Sequence, residues 1–413
     1  MVKYVIIGSG AAGIAAAKTI RNITKEDQII MISSDETIYS RCMLHKYSAN
    51  ERNLKSLSFV SNDFFSKNNI TWRKGECVTG VDTKNNCVLL KDKAVISFDK
   101  LLIATGSDAF IPNVGDLREA KNVYSFAHLT DAKAIREKAL SLSSVGKIIV
   151  IGAGLVGLDV TYALLKLQRA VTVVEMSSQI LPLNLDSTAA SVYQKLFEQN
   201  GCSFRLCSKI SSTVSNENGE VTGVVLENGE ILDCDMVIVA VGVRSAVKFL
   251  EGSGIVCERG IGVDRYLRTC CESVYAAGSV TALGGIWPCA VRQGEIAARN
   301  MCGLVLPFTD AFSARNTMSF FDLPTVSVGD LTCEKGDTVF VRSGCGCYQK
   351  FILQNNVVKG VILQGDVAYS GIWQYLIRNK VNLGDVKKSV WDLSFADFYG
   401  IDDETGEYKY VTR

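Results

Sequence analysis

Residues Val2 to Gly13 read VKYVIIGSGAAG, and this stretch decides how the rest of the chain is read. An aliphatic, β-branched run ends in Gly8-Ser9-Gly10-Ala11-Ala12-Gly13, and the small residues from Ile14 to Ile20 continue as a helix. A strand, a tight glycine turn and a helix start bring backbone N–H groups to the positive end of a helix, where a pyrophosphate is held. One copy is a weak signal, because glycines also serve ordinary turns. The unit recurs as KIIVIGAGLVG, Lys147 to Gly157, with Gly152, Gly154, Leu155, Val156 and Gly157 forming the second loop. Two copies about 140 residues apart in one chain predict two bound dinucleotides.

The 413 residues suffice for two or three domains, each with its own core. Lys+Arg 44 against Asp+Glu 43 leaves a net charge of +1, so no global attraction to nucleic acid or to a membrane surface is expected. The chain opens on a core strand, which argues against a cleaved signal. No apolar run nears the roughly 20 residues of a membrane span, and a cytoplasmic location is expected. Fourteen cysteines accompany only two histidines. The cysteines are scattered without a CxxC pair, so they read as buried or incidental thiols and no metal site is expected.

Taken in order, Gln28 to Ile32 reads as the second strand, followed by Ser33, Ser34 and Asp35. Asp35 is the candidate for the adenosine ribose, and a loop-start aspartate is the plain alternative. Tyr39-Ser40-Arg41-Cys42-Met43-Leu44-His45-Lys46 sets a thiol among cations. Phe98 to Ala104 is an apolar strand closing on Thr105-Gly106, a small pair that lets backbone pass close to a ligand. In the second unit Ala170 to Val174 ends in Glu175, where a carboxylate would bind the ribose hydroxyls and repel a 2′-phosphate. NADH is therefore preferred to NADPH, although Arg169 lies nearby in sequence. Trp287-Pro288 opens a helix to about Cys302, and residues from about Ala311 form a separate strand-rich unit. No Ser-His-Asp or paired-carboxylate set competes, and His45 and His128 read as ordinary surface or helix residues.

These landmarks, with Val241-Gly242-Val243-Arg244, Tyr275-Ala276-Ala277-Gly278, Gln293-Gly294 and Asn316 to Gly329, span essentially the whole chain. Together they resemble the two-dinucleotide FAD/NAD(P)-dependent pyridine nucleotide-disulfide oxidoreductase superfamily. The resemblance is closest to the branch of NAD(P)H:rubredoxin reductases, the amino-terminal part of nitrite reductases, and NADH oxidases. It implies an α/β fold with two Rossmann-like domains, the NAD domain inserted in the FAD domain, and a C-terminal α+β domain. The expected bounds are 1–112 with 245–311 for FAD, 113–244 for NAD(P)H and 312–413 for the C-terminal domain, which either dimerises or docks a partner.

By the same resemblance Gly8, Gly10, Ala11, Ala12 and Gly13 hold the FAD pyrophosphate, and Gly152, Gly154 and Gly157 hold that of NAD(P)H. Arg41, Thr105, Gly106, Gly278 and Ser279 line the flavin, and Gly242 closes the nicotinamide domain. Lys46 falls where relatives place a lysine near flavin N5, and Asp159 where many carry a glutamate near the nicotinamide. The Trp287 helix would aim its N-terminus at the flavin pyrimidine edge. Ser279 departs from the usual aspartate, and Cys42 replaces the usual proline. Cys42 also occupies the place of the single redox cysteine of coenzyme A disulfide reductases and water-forming NADH oxidases.

The shared chemistry is hydride transfer from nicotinamide C4 to flavin N5. Three destinations for the electrons stay open. One is a rubredoxin-like redox protein or a partner subunit. Another is a Cys42 thiolate, with Arg41 and Lys46 lowering its pKa, that reduces disulfides, peroxide or oxygen-derived species. The third is a low-turnover flavin-binding sensor or structural subunit.

Overall fold

A computed structural model of the chain describes residues 1–143, 145–309 and 315–410. Two five-stranded parallel sheets dominate. The first runs Val274–Ala276, Lys100–Ile103, Lys3–Ile7, Gln28–Ser33, Ile70–Lys74. The second runs Cys202–Arg205, Val171–Val174, Ile148–Ile151, Met236–Val239, Val123–Ser125. Strands such as Ile148–Ile151 are buried along their whole length. That is why they read as continuous apolar runs, with no alternation: a parallel sheet is covered on both faces.

In both sheets the strand before the glycine loop is central. The outer strand differs in origin. Val274–Ala276 arrives after the second sheet has been built, whereas Val123–Ser125 precedes its glycine loop. The second sheet is thus inserted between Lys100–Ile103 and Val274–Ala276 of the first. Ser107–Ala109, on the way out, pairs antiparallel with Val243–Ser245 on the way back. Each sheet also carries a three-stranded antiparallel appendage, Val78–Asp82 with Cys87–Leu90 and Val95–Ser97, and Ile210–Ser215 with Val221–Leu226 and Ile231–Asp233.

The helix Ala11–Ile23 buries Ala12, Gly13, Ala16 and Ala17, and packs against Trp287–Met301. Small side chains permit the approach: a Cβ on Gly294 would lie 2.2 Å from the Ala12 carbonyl oxygen. Arg21 closes the far end of the first helix, donating to the carbonyls of Thr24, Lys25, Asp27, Asn68 and Asn69.

By contacts the chain divides into two compact units. Met1–Met176 with Gly201–Thr309 form one, and Ser177–Asn200 with the described residues after Thr309 form the other. The second holds an antiparallel sheet, Arg315–Phe320, Leu323–Gly329, Val357–Gln364, Cys347–Gln354, Thr338–Gly344, backed by the helix Ser370–Arg378. It also claims the helix Ser187–Gln199, because Asp186 caps that helix at Ala189 N and accepts from Tyr348 Oη at 2.6 Å and Lys350 Nζ at 2.9 Å. The boundary expected at residues 311–312 lies outside the described residues. Among the described residues no helix is long and apolar enough to cross a membrane.

Candidate dinucleotide and redox site

The glycines of the two loops divide the same labour. Gly8 and Gly152 turn the chain at φ +108° and +102°, and a Cβ there would meet the Ala104 and Ala240 carbonyl oxygens at 2.2 and 2.6 Å. Gly13 and Gly157 bring helix against turn, since a Cβ would lie 2.0 and 1.9 Å from the Gly8 and Gly152 oxygens. Gly10 and Gly154 face open space, with no atom within 4 Å of an added Cβ. Only that middle position is free for a ligand to approach backbone, which is the arrangement a dinucleotide pyrophosphate needs.

Register carries the equivalence further. Gly8 N donates to Ile32 O and Gly152 N to Val174 O, each at 2.8 Å. Ala104 N donates to Ile7 O and Ala240 N to Ile151 O. Thr105-Gly106 therefore corresponds to Val241-Gly242, and the residue matching Glu175 is Ser33. Asp35, the residue expected at the ribose, stands two positions beyond that match. Its carboxylate accepts from Tyr39 Oη at 3.1 Å, while Glu175 accepts the Ala153 N–H at 2.7 Å. Arg169 is not beside Glu175. It lies at the other end of the Val171–Val174 strand, donating to Ser143 O, so its proximity in sequence carries no weight against the carboxylate.

The first loop opens into a cavity of about 710 Å³. Its walls include Gly8, Gly10, Ala11, Ala12, Ser34, Asp35, Arg41, Cys42, Thr105, Gly106, Gly278, Ser279 and Trp287. These residues come from segments scattered over most of the first unit; all but Cys42, the candidate redox thiol, were expected to bind one cofactor. Gly13 is absent from the wall because it is consumed by packing. Gly285, Trp287 and Ala290 put the N-terminal turn of the Trp287–Met301 helix on the wall, a favourable place for negative charge. Buried Gln293 holds the opposite turn, accepting from Gly278 N at 2.8 Å and Thr281 Oγ1 at 3.2 Å. The open cradle at Gly10 and the size of the cavity fit a flavin dinucleotide.

His128 is not the ordinary surface or helix residue the sequence suggested. It lines the cavity between Arg41 Nη2, 3.1 Å from Nδ1, and Asp108 Oδ1, 2.8 Å from Nε2. His45 sits in the short helix Leu44–Ser48, as a helix residue should; it lies 3.6 Å from Asp159 and packs edge-on against Tyr162. Burial, with Lys46 adding to it, pulls the His45 pKa down to about 4. Desolvation pushes Asp159 up to about 7, opposed by Lys46.

Lys46 itself is absent from the cavity wall. Its ammonium pairs with Glu51 at 2.7 Å and lies over the Tyr162 ring. Burial draws its pKa down, but the Glu51 carboxylate and Tyr162 outweigh that and hold it above the ordinary value. Cys42 lies on the wall with its side chain exposed. Its thiol is pushed up, by desolvation and then by Asp159, and Arg41 offsets this only in part. On balance it lies above its ordinary value, contrary to the lowering expected from Arg41 and Lys46. Among the described residues no group of three or more His, Cys, Asp or Glu side chains is placed to hold a metal.

Comparison with known proteins follows the same lines. The sequence model of the pyridine nucleotide-disulphide oxidoreductase family matches residues 2–294. The NAD(P)H nitrite reductase of Bacillus subtilis (strain 168) is 28% identical over 395 residues, covering 94% of this chain and 48% of that protein. The NADH oxidase of Methanocaldococcus jannaschii is 32% identical over 328 residues, covering 74% of this chain and 71% of that one. Among solved structures, NADH:rubredoxin oxidoreductase from Clostridium acetobutylicum shares the fold with a TM-score of 0.75 and 24% identity, covering 94% of this chain and 97% of that one. The chain spans about half the length of the first curated relatives it matches.

Proposed function

Because the chain belongs to the pyridine nucleotide-disulphide oxidoreductase family, we propose that it is a flavoprotein that takes electrons from NADH and passes them to a redox protein or a partner subunit. The family uses FAD and NAD(P)H. The observation that carries the reading is the matched pair of loops, each with one glycine free to meet a pyrophosphate, the first opening on a cavity of about 710 Å³. When bound, FAD supplies two-electron acceptance from a nicotinamide and one-electron release to a carrier.

The chain's own residues bind, orient and tune. Backbone N–H groups at Gly10 and Ala11 hold the diphosphate of FAD, and those at Gly154 and Leu155 that of NADH. Glu175 receives the ribose hydroxyls of NADH by exchanging its bond to Ala153, and with Arg169 remote it disfavours a 2′-phosphate. The Trp287 helix start and Arg41 favour negative charge in the cavity. Asp159, pushed up to about 7, can hold or release a proton at its carboxyl within the neutral range.

A disulfide- or peroxide-reducing role needs Cys42 as a thiolate; its side chain is exposed, but desolvation by its neighbours together with Asp159 disfavours that form. Transfer to a carrier is therefore the better-supported reading. Relatives named for rubredoxin and for electron transfer to a nitrate reductase point the same way. Anaerobic NADH titration of the flavin-loaded protein, followed by a panel of one-electron carriers and disulfides, tests it in wild type and Cys42→Ser. Rapid bleaching and carrier reduction that survive Cys42→Ser support the proposal. Turnover confined to disulfides or peroxide and lost in Cys42→Ser overturns it in favour of the thiol route. Flavin that NADH scarcely bleaches would instead indicate a sensor or structural subunit.

A further inference from the structure

His128 stands between two charged groups on the cavity wall, and the proposed chemistry leaves it without a task. Arg41 Nη2 lies 3.1 Å from Nδ1 and Asp108 Oδ1 lies 2.8 Å from Nε2. A guanidinium only donates and a carboxylate only accepts. The neutral ring between them has one consistent form, with Nδ1 accepting from Arg41 and Nε2–H donating to Asp108. Arg41 Nη1 also donates to Ser107 O at 2.7 Å, so the guanidinium is held at both ends beside Gly106. Three elements meet here: the turn Arg41–Met43, the linking strand Ser107–Ala109, and the start of the helix Leu129–Ser141, which His128 caps.

We propose that His128, oriented by Asp108, is a positioning residue that fixes the Arg41 guanidinium on the cavity wall and leaves its other N–H donors to the flavin nucleotide. This rests on the reading of the cavity as the FAD site. A protonated ring turns Nδ1 into a donor facing a guanidinium, so the bond is lost and like charges meet. The groups facing the ring are Arg41 and Asp108. On its own helix, the Asp131 carboxylate is taken by Ser125 Oγ, Ala127 N and His128 N. Tyr39, from the neighbouring segment, is pushed up to about 12 by burial and by Asp35, and stays neutral.

The chain has two histidines, so ring ¹⁵N resonances of the apoprotein, assigned with His45→Gln, read His128 directly. The expected signature at pH 8 is a fixed neutral Nε2–H tautomer; an Nδ1–H tautomer or free exchange between the two overturns the proposal. FAD affinity of the apoprotein, followed by flavin fluorescence, is the second readout. His128→Gln supplies the same acceptor and donor and is expected within about twofold of wild type, while His128→Leu, checked for folding, binds about tenfold more weakly. Wild-type affinity is expected to fall as the ring takes up its proton, and His128→Gln to show no such step. Equal affinity for His128→Leu and wild type, or the same pH step in His128→Gln, refutes the role while the cavity assignment stands. A wild-type apoprotein that binds no FAD refutes the cavity assignment, and the tautomer still decides whether His128 holds Arg41.

Discussion

In the second glycine unit the carboxylate at the strand end, Glu175, turns back and takes the Ala153 N–H of its own loop. In the first, the matching position is Ser33, which accepts from Trp72 Nε1 and donates to Asp35 O, and the carboxylate is displaced to Asp35 under Tyr39. The turn glycines, the packing glycines and the open glycines coincide, so the backbone that meets a pyrophosphate is common to both. What differs is the surroundings. Residues at or after the ends of the first sheet's strands and the start of the Trp287 helix wall the first loop into a cavity, and beside the second loop stands the Glu175 carboxylate. One backbone device can thus serve a retained cofactor or an exchanging substrate, depending on what the rest of the chain builds around it.

The strongest way to break that comparison is at the packing glycines. Gly13→Ala and Gly157→Ala place a Cβ about 2 Å from a carbonyl oxygen, and each is expected to cost about 2–4 kcal/mol in urea denaturation. A variant that loses less than about 0.5 kcal/mol would show that the helix is not seated on its turn. Next in size are the open glycines. Gly10 and Gly154 have ordinary φ of −78° and −75°, so Ala at either should leave stability nearly unchanged. Gly10→Ala is expected to weaken FAD binding, and Gly154→Ala NADH binding, by at least about tenfold in calorimetry. Crossed effects would dissolve the assignment of loops to nucleotides.

Glu175→Gln sharpens the difference between the units. It should shift the NADH-to-NADPH ratio of kcat/KM by about tenfold toward NADPH, while Asp35→Asn leaves that ratio alone and acts on FAD retention. The smallest effect is expected at Asp159. A carboxyl whose pKa rises on folding stabilises the fold in its protonated form, fully below about pH 4, and this is lost as pH rises through about 7. Asp159→Asn should flatten that slope, gaining about 0.5–1 kcal/mol relative to wild type between pH 4 and 8 after allowance for solvent screening of a partly exposed carboxyl. Urea midpoints across that range check it.

Much of the site was legible because its signals are local. A strand, three glycines and a helix start lie within a dozen residues. His128 gave no such signal. Its partners are 87 and 20 positions away, and as a helix cap beside a linker it looks like any polar residue at a helix start. Nor does the sequence show that the turn after the short helix of Lys46 brings Glu51 within 2.7 Å of its ammonium. The helix Ser187–Gln199, which runs between two strands of the second sheet in sequence, joins the C-terminal unit because Asp186 is tied to Tyr348 and Lys350.

Sequence alone determined the two loops, their strands and the dinucleotide chemistry they imply, because turn glycines and buried parallel strands impose their pattern on adjacent residues. Only the tertiary structure decided that the first loop faces a cavity of about 710 Å³, which histidine stands beside Arg41, and that desolvation and Asp159 push the Cys42 thiol up. Those outcomes depend on charge and desolvation summed over segments far apart in the chain, and no short stretch of residues carries that sum.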